Sequence, residues 1–249
     1  VDRDEKSNWS TPFIWVNRQR TELVTPGTGR VRAYDLEGRE LWSLRGMSDA
    51  LVDFTTDPGS VHRLYRALTD FYLRVIERAR FELGADGILT SDDLGTQEAP
   101  FFRPATFDEF FAPYYRELAE HAHARGMHFW LHACGNIEPF IPKLIDLGLD
   151  VLHPIQKYTM DEREIARRHG GRICIWSGFD VQRIIPFGTP EEVRAEVRHL
   201  MDTFHRSEGR MLFSAGNGIN GDCPLPSLEA LYDEACRYGT EVVKKRAGT

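Results

Sequence analysis

The segment His132-Ala133-Cys134-Gly135-Asn136 closes an apolar run, and a further thiol follows far downstream in Gly221-Asp222-Cys223-Pro224. Residues two apart on a strand point the same way, so His132 and Cys134 would present an imidazole and a thiol on one face. His128-Phe129-Trp130-Leu131 reads as that strand, and Gly135-Asn136 as its end. A neutral imidazole with two thiolates is a zinc donor set. Three protein ligands with one open position suit a catalytic metal rather than a structural one. The remote third ligand points the same way, because small structural zinc sites bring two close ligand pairs. The spacing also fits a plainer alternative: two unrelated half-buried residues and a stray loop cysteine.

The elements that would position these residues are regular from residue 58 onward. Asp57-Pro58 starts a helix, and Val61, Leu64, Leu68, Phe71, Val75 and Ile76 follow its period. The apolar runs Gly87–Thr90, His128–His132, Asp150–Ile155, Ile173–Trp176 and Met211–Ser214 read as strands, each followed by a helical pattern. Three helix starts carry caps: Thr106-Phe107-Asp108-Glu109, Thr159-Met160-Asp161-Glu162 and Thr189-Pro190-Glu191-Glu192. The last helix runs from about Ser227.

Strands alternating with helices mean parallel pairing with right-handed crossovers, and uniformly apolar strands imply burial on both faces. A (β/α)8 TIM barrel and an open doubly wound sheet both satisfy this. Every polar cluster falls just after a strand: Asp92-Asp93, His132 with Cys134, His153 with Gln156, Asp180, and Asn217 through Cys223. A barrel brings those ends to one mouth, whereas an open sheet spreads them along an edge, so the metal set favours the barrel. Residues 58–249 are expected to form it. Residues 1–57 fit poorly and read as an irregular segment, with a hairpin of Val31–Tyr34 and Leu41–Leu44 around Gly38. The chain begins at Val1, consistent with a trimmed piece of something longer, so part of the barrel is either abbreviated or outside this chain.

Composition narrows the class. The 249 residues are 41% hydrophobic and carry 31 Lys and Arg against 38 Asp and Glu, a net charge of −7. That acidity argues against a nucleic-acid-binding face. No apolar run approaches the roughly 18 residues of a membrane span. Four cysteines without regular spacing make no disulfide framework and suit a reducing cytoplasm. Cys174 in a strand and Cys236 on an apolar helix face read as small core residues.

Several ordered blocks carry a resemblance. They are Arg45-Gly46-Met47, Ala85-Asp86-Gly87-Ile88, Asp92-Asp93-Leu94-Gly95-Thr96-Gln97, His132-Ala133-Cys134-Gly135-Asn136, Leu147 through Gln156, Gly178-Phe179-Asp180-Val181-Gln182 and Phe187 through Val193. Together they resemble the uroporphyrinogen decarboxylase superfamily, whose fold is a (β/α)8 barrel. His-x-Cys with a distant Cys is similar to its zinc- and corrinoid-dependent methyltransferases, such as methylcobamide:coenzyme M methyltransferase. The resemblance implies zinc on His132, Cys134 and Cys223, with a methylated corrinoid as co-substrate, held by a corrinoid protein as partner. A small thiol or similar molecule would accept the methyl group. It gives Asp93 the catalytic role of orienting the acceptor or taking its proton, and His153, Gln156 and Asp180 contacts to substrate. Family members often have Asn-Pro-Ile-Gln where this chain has His153-Pro154-Ile155-Gln156.

The decarboxylase branch matches less of the chain. Its Trp-x-Met-Arg-Gln-Ala-Gly-Arg motif is reduced here to Trp15-Val16-Asn17-Arg18-Gln19-Arg20. A polycarboxylate substrate also calls for several placed arginines, and few follow the expected strands. The alternatives are therefore a metal-free carboxy-lyase of porphyrin biosynthesis and a zinc-stabilised binding subunit without turnover.

Overall fold

The computed structural model describes residues 13–16, 21–26, 31–34, 40–43, 47–206 and 209–247. The chain divides into two compact units between Leu64 and Tyr65. In the first, β1 (Phe13–Val16), β2 (Thr21–Pro26), β3 (Val31–Tyr34) and β4 (Glu40–Ser43) form an antiparallel sheet in chain order. The expected pairing of β3 with β4 is present, with Ala33 opposite Trp42. The tip at Gly38 and the segment Asn17–Arg20 lie outside the described residues. Where one hairpin was expected there is a four-stranded meander, because β2 pairs on both sides through Phe13↔Val24 and Val24↔Ala33. Two helices follow, α1 (Met47–Thr56) and α2 (Pro58–Leu83).

The second unit is an α/β layer. Its strands are β5 (Gly87–Ser91), β6 (His128–His132), β7 (Val151–His153), β8 (Cys174–Phe179) and β9 (Met211–Ala215), and all four pairings are parallel. Their order in the sheet is their order in the chain. A doubly wound sheet reverses direction at a switch point. This one never does, which is how strands run around a barrel. Between them lie α3 (Pro104–Phe110) and α4 (Ala112–His123), then a 3₁₀ turn at Glu138–Phe140 and α5 (Ile141–Asp146). After these come α6 (Glu162–His169), α7 (Ile184–Phe187) and α8 (Pro190–Phe204), and α9 (Leu225–Ala247) ends the unit.

Local chemistry explains the boundaries. Thr189 caps α8 and Glu192 reaches back to it, the capping box expected from Thr189-Pro190-Glu191-Glu192. Two other expected caps are displaced. α3 starts with Pro104 in its first turn, ahead of Thr106, because proline is preset for a helical N-terminus. α6 is capped by Asp161, whose carboxylate accepts from the Glu164 amide, rather than by Thr159.

One face of the sheet carries the core: Phe129, Leu131, Leu152 and Ile175 are buried with Phe107, Phe140, Leu144, Val193 and Leu200. The expected burial of both faces is met at β7, where Val151 and His153 are buried on the opposite face, but not along the other strands. On that opposite face, Trp130 and Trp176 meet edge to face at 5.7 Å, yet Leu89 is 51% exposed and Leu212 37%. Cys174 is half-buried, but Cys236 is exposed, contrary to the reading of its helix face as core. Among the described residues, no helix is long and apolar enough to cross a membrane.

Candidate metal centre

Parallel pairing places Ser91, His132 and His153 side by side at the carboxyl ends of β5, β6 and β7. This is the rim where loops of an α/β sheet gather functional groups. Beyond Ser91 the adjacent acids part company. Asp92 continues the ladder, its amide donating to the His132 carbonyl at 2.9 Å, and its carboxylate accepts from the Tyr115 hydroxyl at 2.6 Å. Although the residue as a whole is exposed, its carboxyl lies against Tyr115, and desolvation raises its pKa to about 6. Asp93 turns toward β6. Its Oδ1 accepts the Cys134 amide at 2.9 Å and stands 3.9 Å from His132 Nε2.

His132 Nε2 is 3.3 Å from Cys134 Sγ, and its Nδ1 is 2.7 Å from His153 Nδ1. His153 Nε2 in turn faces the Ala215 carbonyl at the end of β9, 3.2 Å away. Burial lowers the pKa of both imidazoles, that of His153 to about 4. Burial, reinforced by the negative Asp93, pushes the Cys134 thiol up to about 11, against a weak contact from Asn217 Nδ2 at 3.7 Å.

The turn after Cys134 depends on glycine. Gly135 has φ +87°, and a Cβ there would run into the Gly95 carbonyl. Without side chains at Gly95 and Gly135, the loops after β5 and β6 can touch, and the Asn136 amide reaches the Thr96 carbonyl at 2.7 Å. Gln156 secures the same turn, accepting the Gly135 amide at 2.6 Å and donating to Gln97 Oε1 at 3.1 Å.

One oxygen of Asp93, one ring nitrogen of His132 and Cys134 Sγ all lie within 4.8 Å of one another, a grouping that no other residues among those described repeat. Oxygen, imidazole and thiol are zinc-type donors, and this set carries no cationic side chain, so the residues fit a bound zinc. Cys223 stands outside this group, with Sγ directed to Asp222 Oδ1 at 4.0 Å. Its segment nonetheless begins at the site, since Asn217 touches Cys134.

The three residues expected to touch substrate each have a protein partner here. His153 holds His132, Gln156 holds the Gly135 turn, and Asp180 accepts the amides of Gln182, Arg183 and Ile184 at 3.0, 3.2 and 3.0 Å, capping the turn into α7. Sequence reasoning had no access to Tyr115, Gln97 or the Asn217–Cys134 contact. The last joins residues 83 positions apart, beyond any periodic pattern.

With this geometry in place, similarity to known proteins is informative. A family model described as uroporphyrinogen decarboxylase (URO-D) matches residues 36–238. The uroporphyrinogen decarboxylase of Dechloromonas aromatica (strain RCB) is 24% identical over 205 residues, covering 80% of this chain and 54% of its own length. The protein of the same name from Xanthomonas axonopodis pv. citri (strain 306) is 26% identical over 173 residues, covering 66% and 46%. The chain spans about half the length of the curated relatives it matches. Among solved structures, a methyltransferase from Methanosarcina mazei superposes with a TM-score of 0.63 at 18% identity, over 79% of this chain and 55% of that one. At that identity the likeness is one of fold. A match over most of its length makes this chain a member of the uroporphyrinogen decarboxylase (URO-D) family.

Proposed function

We infer that this chain carries the metal site of a zinc-dependent methyltransferase that moves a methyl group from a corrinoid, held on a separate protein, to a small thiol. The observation that supports this is the grouping of Asp93, His132 and Cys134 at the strand ends. His132 Nε2 and Cys134 Sγ form the part of the donor set held by the end of β6 and the turn after it, Asp93 stands beside them, and Cys223 joins from the segment after β9. When bound, zinc supplies a positive centre that favours the thiolate form of a thiol beside it.

The chain's own residues do the rest. Gln156 and the two glycines fix the turn that carries Cys134, and Asp93 holds its amide. In our reading, Asp93 takes up the proton that the acceptor thiol loses. The acceptor sulfur forms the new bond to carbon, and the electron pair of the broken bond stays with the donor. Half-burial of His132 and Cys134 limits competing water around this chemistry.

A second reading, decarboxylation of a porphyrinogen without metal, is favoured by the names of the curated relatives. Metal analysis of the purified protein separates the two. The methyltransferase reading expects one zinc per chain, largely lost in Cys134→Ser and Cys223→Ser and retained in Cys174→Ser and Cys236→Ser. It also expects zinc-dependent methylation of a simple thiol by methylcobalamin. Turnover of uroporphyrinogen by metal-free protein, with no thiol methylated, would replace it with the decarboxylase.

A further inference from the structure

We propose that His153 is a positioning residue that sets the tautomer of His132, leaving Nε2 bare and directed at the metal donor set.

The tautomer is set from the Ala215 carbonyl at the end of β9. A carbonyl oxygen can only accept, so the 3.2 Å contact with His153 Nε2 is a hydrogen bond only if that nitrogen carries the hydrogen. With one hydrogen on each ring, His153 Nδ1 is then a bare acceptor. The 2.7 Å approach of the two Nδ1 atoms needs a single hydrogen between them, and it must come from His132. That leaves His132 Nε2 with a free lone pair, 3.3 Å from Cys134 Sγ and 3.9 Å from Asp93 Oδ1. Reversing the order would set His153 Nε2 and the Ala215 oxygen, two acceptors, against each other in a half-buried site. One backbone carbonyl on β9 therefore selects a ligand atom on β6, three strands away in the sheet.

The geometry of the relay is held from several sides. His132 and His153 are paired in register, and their ring centroids lie 4.9 Å apart. Trp176 packs against His153 at 4.6 Å between centroids, which keeps the imidazole from turning. A partner that fixes the ring and tautomer of a ligating histidine is worth roughly 10–100-fold in metal affinity.

The consequence for zinc rests on the functional reading above, but the tautomer does not, so the two fail separately. In metal-free protein, nitrogen-15 NMR of the imidazoles should show hydrogen on Nδ1 of His132 and on Nε2 of His153. Hydrogen on Nε2 of His132 would overturn the proposal. His153→Phe keeps a ring against Trp176 but removes the acceptor, and it should shift His132 toward the Nε2–H form. Zinc affinity, read by competition with a chelator, should fall roughly 10–100-fold. His153→Asn, which can turn a side-chain oxygen toward His132 Nδ1, should restore both readouts. Substitutions that leave the His132 tautomer unchanged would refute the relay, even if zinc binding fell. A protein that never bound zinc would sink the functional reading while the tautomer measurement still judged this one.

Discussion

Two polar clusters in the second unit look alike in composition and differ in what completes them. Between α6 and α8, the nearly buried Glu162 and Glu196 face Lys157 and His199. Lys157 Nζ lies 2.6 Å from Glu196 and 3.5 Å from Glu162, and His199 Nε2 lies 2.7 Å from Glu162. At the strand ends, Asp93, His132 and Cys134 converge, and no lysine or arginine among the described residues bonds to them. In the first cluster the protein's own ammonium sits where a cation is wanted. In the second, donor atoms are brought together with no such ammonium, and in our reading zinc completes them. On that reading, charge complement, more than residue type, separates a structural network from a metal centre.

The comparison breaks first at Cys134. Cys134→Ala removes a donor from the group of three and should cost zinc affinity more than about 100-fold, beyond what loss of a supporting partner costs. The unfolding midpoint of the metal-free protein should move little, because the thiol is only half-buried. Zinc bound with undiminished affinity by the variant would mean that the cluster is not the site.

The opposite pattern is expected at Lys157. Lys157→Met keeps most of the packing volume but leaves Glu162 and Glu196 together with no ammonium between them. Breaking a buried pair from one side costs about 3–5 kcal/mol, reduced here to about 2–3 because Lys157 is 18% exposed. The thermal midpoint of the second unit should fall by roughly 5–10 °C. Zinc affinity should stay within about twofold, since none of these groups belongs to the donor set; a large loss would show the two clusters to be one coupled system.

Asp180 tests where the site ends. Its three amide contacts cap the turn into α7, so Asp180→Ala should cost about 1–2 kcal/mol in chemical unfolding and leave zinc affinity alone. If it instead raised the KM for an acceptor with no change in stability, Asp180 would belong to the mouth as a substrate contact.

How much of this was legible beforehand follows from the range over which each signal acts. The two-residue spacing of His132 and Cys134, the alternation of strand and helix, and the Thr189 cap are local, and the structure shows each. Asp93 could be placed on the rim, but its hold on the Cys134 amide spans 41 positions and depends on two loops meeting at Gly95 and Gly135. β2 was missed inside the segment read as irregular, because its end at Thr25 and Pro26 is held by β3 alone, opposite Arg32 and Val31, while its pairing with β1 stops at Val24. Thr106 lost the start of α3 to Pro104, a contest between two valid start signals two residues apart. Apolar β5 and β9 suggested burial on both faces, yet strand composition does not reveal how far the inner face is covered.

The smallest expected effect is on the alkaline side of the stability profile. Burial works to lower the Lys157 pKa, but the hydrogen bond to Glu196 and the charges of Glu162 and Glu196 outweigh it, and the net shift is upward from 10.5. A lysine whose folded pKa exceeds its unfolded value contributes stability that is fully present below the unfolded pKa and is lost as pH rises through the folded one. Wild-type protein should therefore lose stability more steeply above pH 10.5 than Lys157→Met does, with the two profiles parallel between pH 8 and 10. The difference should be a fraction of the neutral-pH cost of the substitution, because Lys157 is only partly shielded and solvent screens the rest. Urea unfolding of both proteins across that range isolates the term, since the other lysines and tyrosines titrate in both. Parallel profiles throughout would mean that Glu162 and Glu196 do not hold this ammonium more tightly than water does, and the cluster between α6 and α8 would then owe its stability to packing rather than to matched charge.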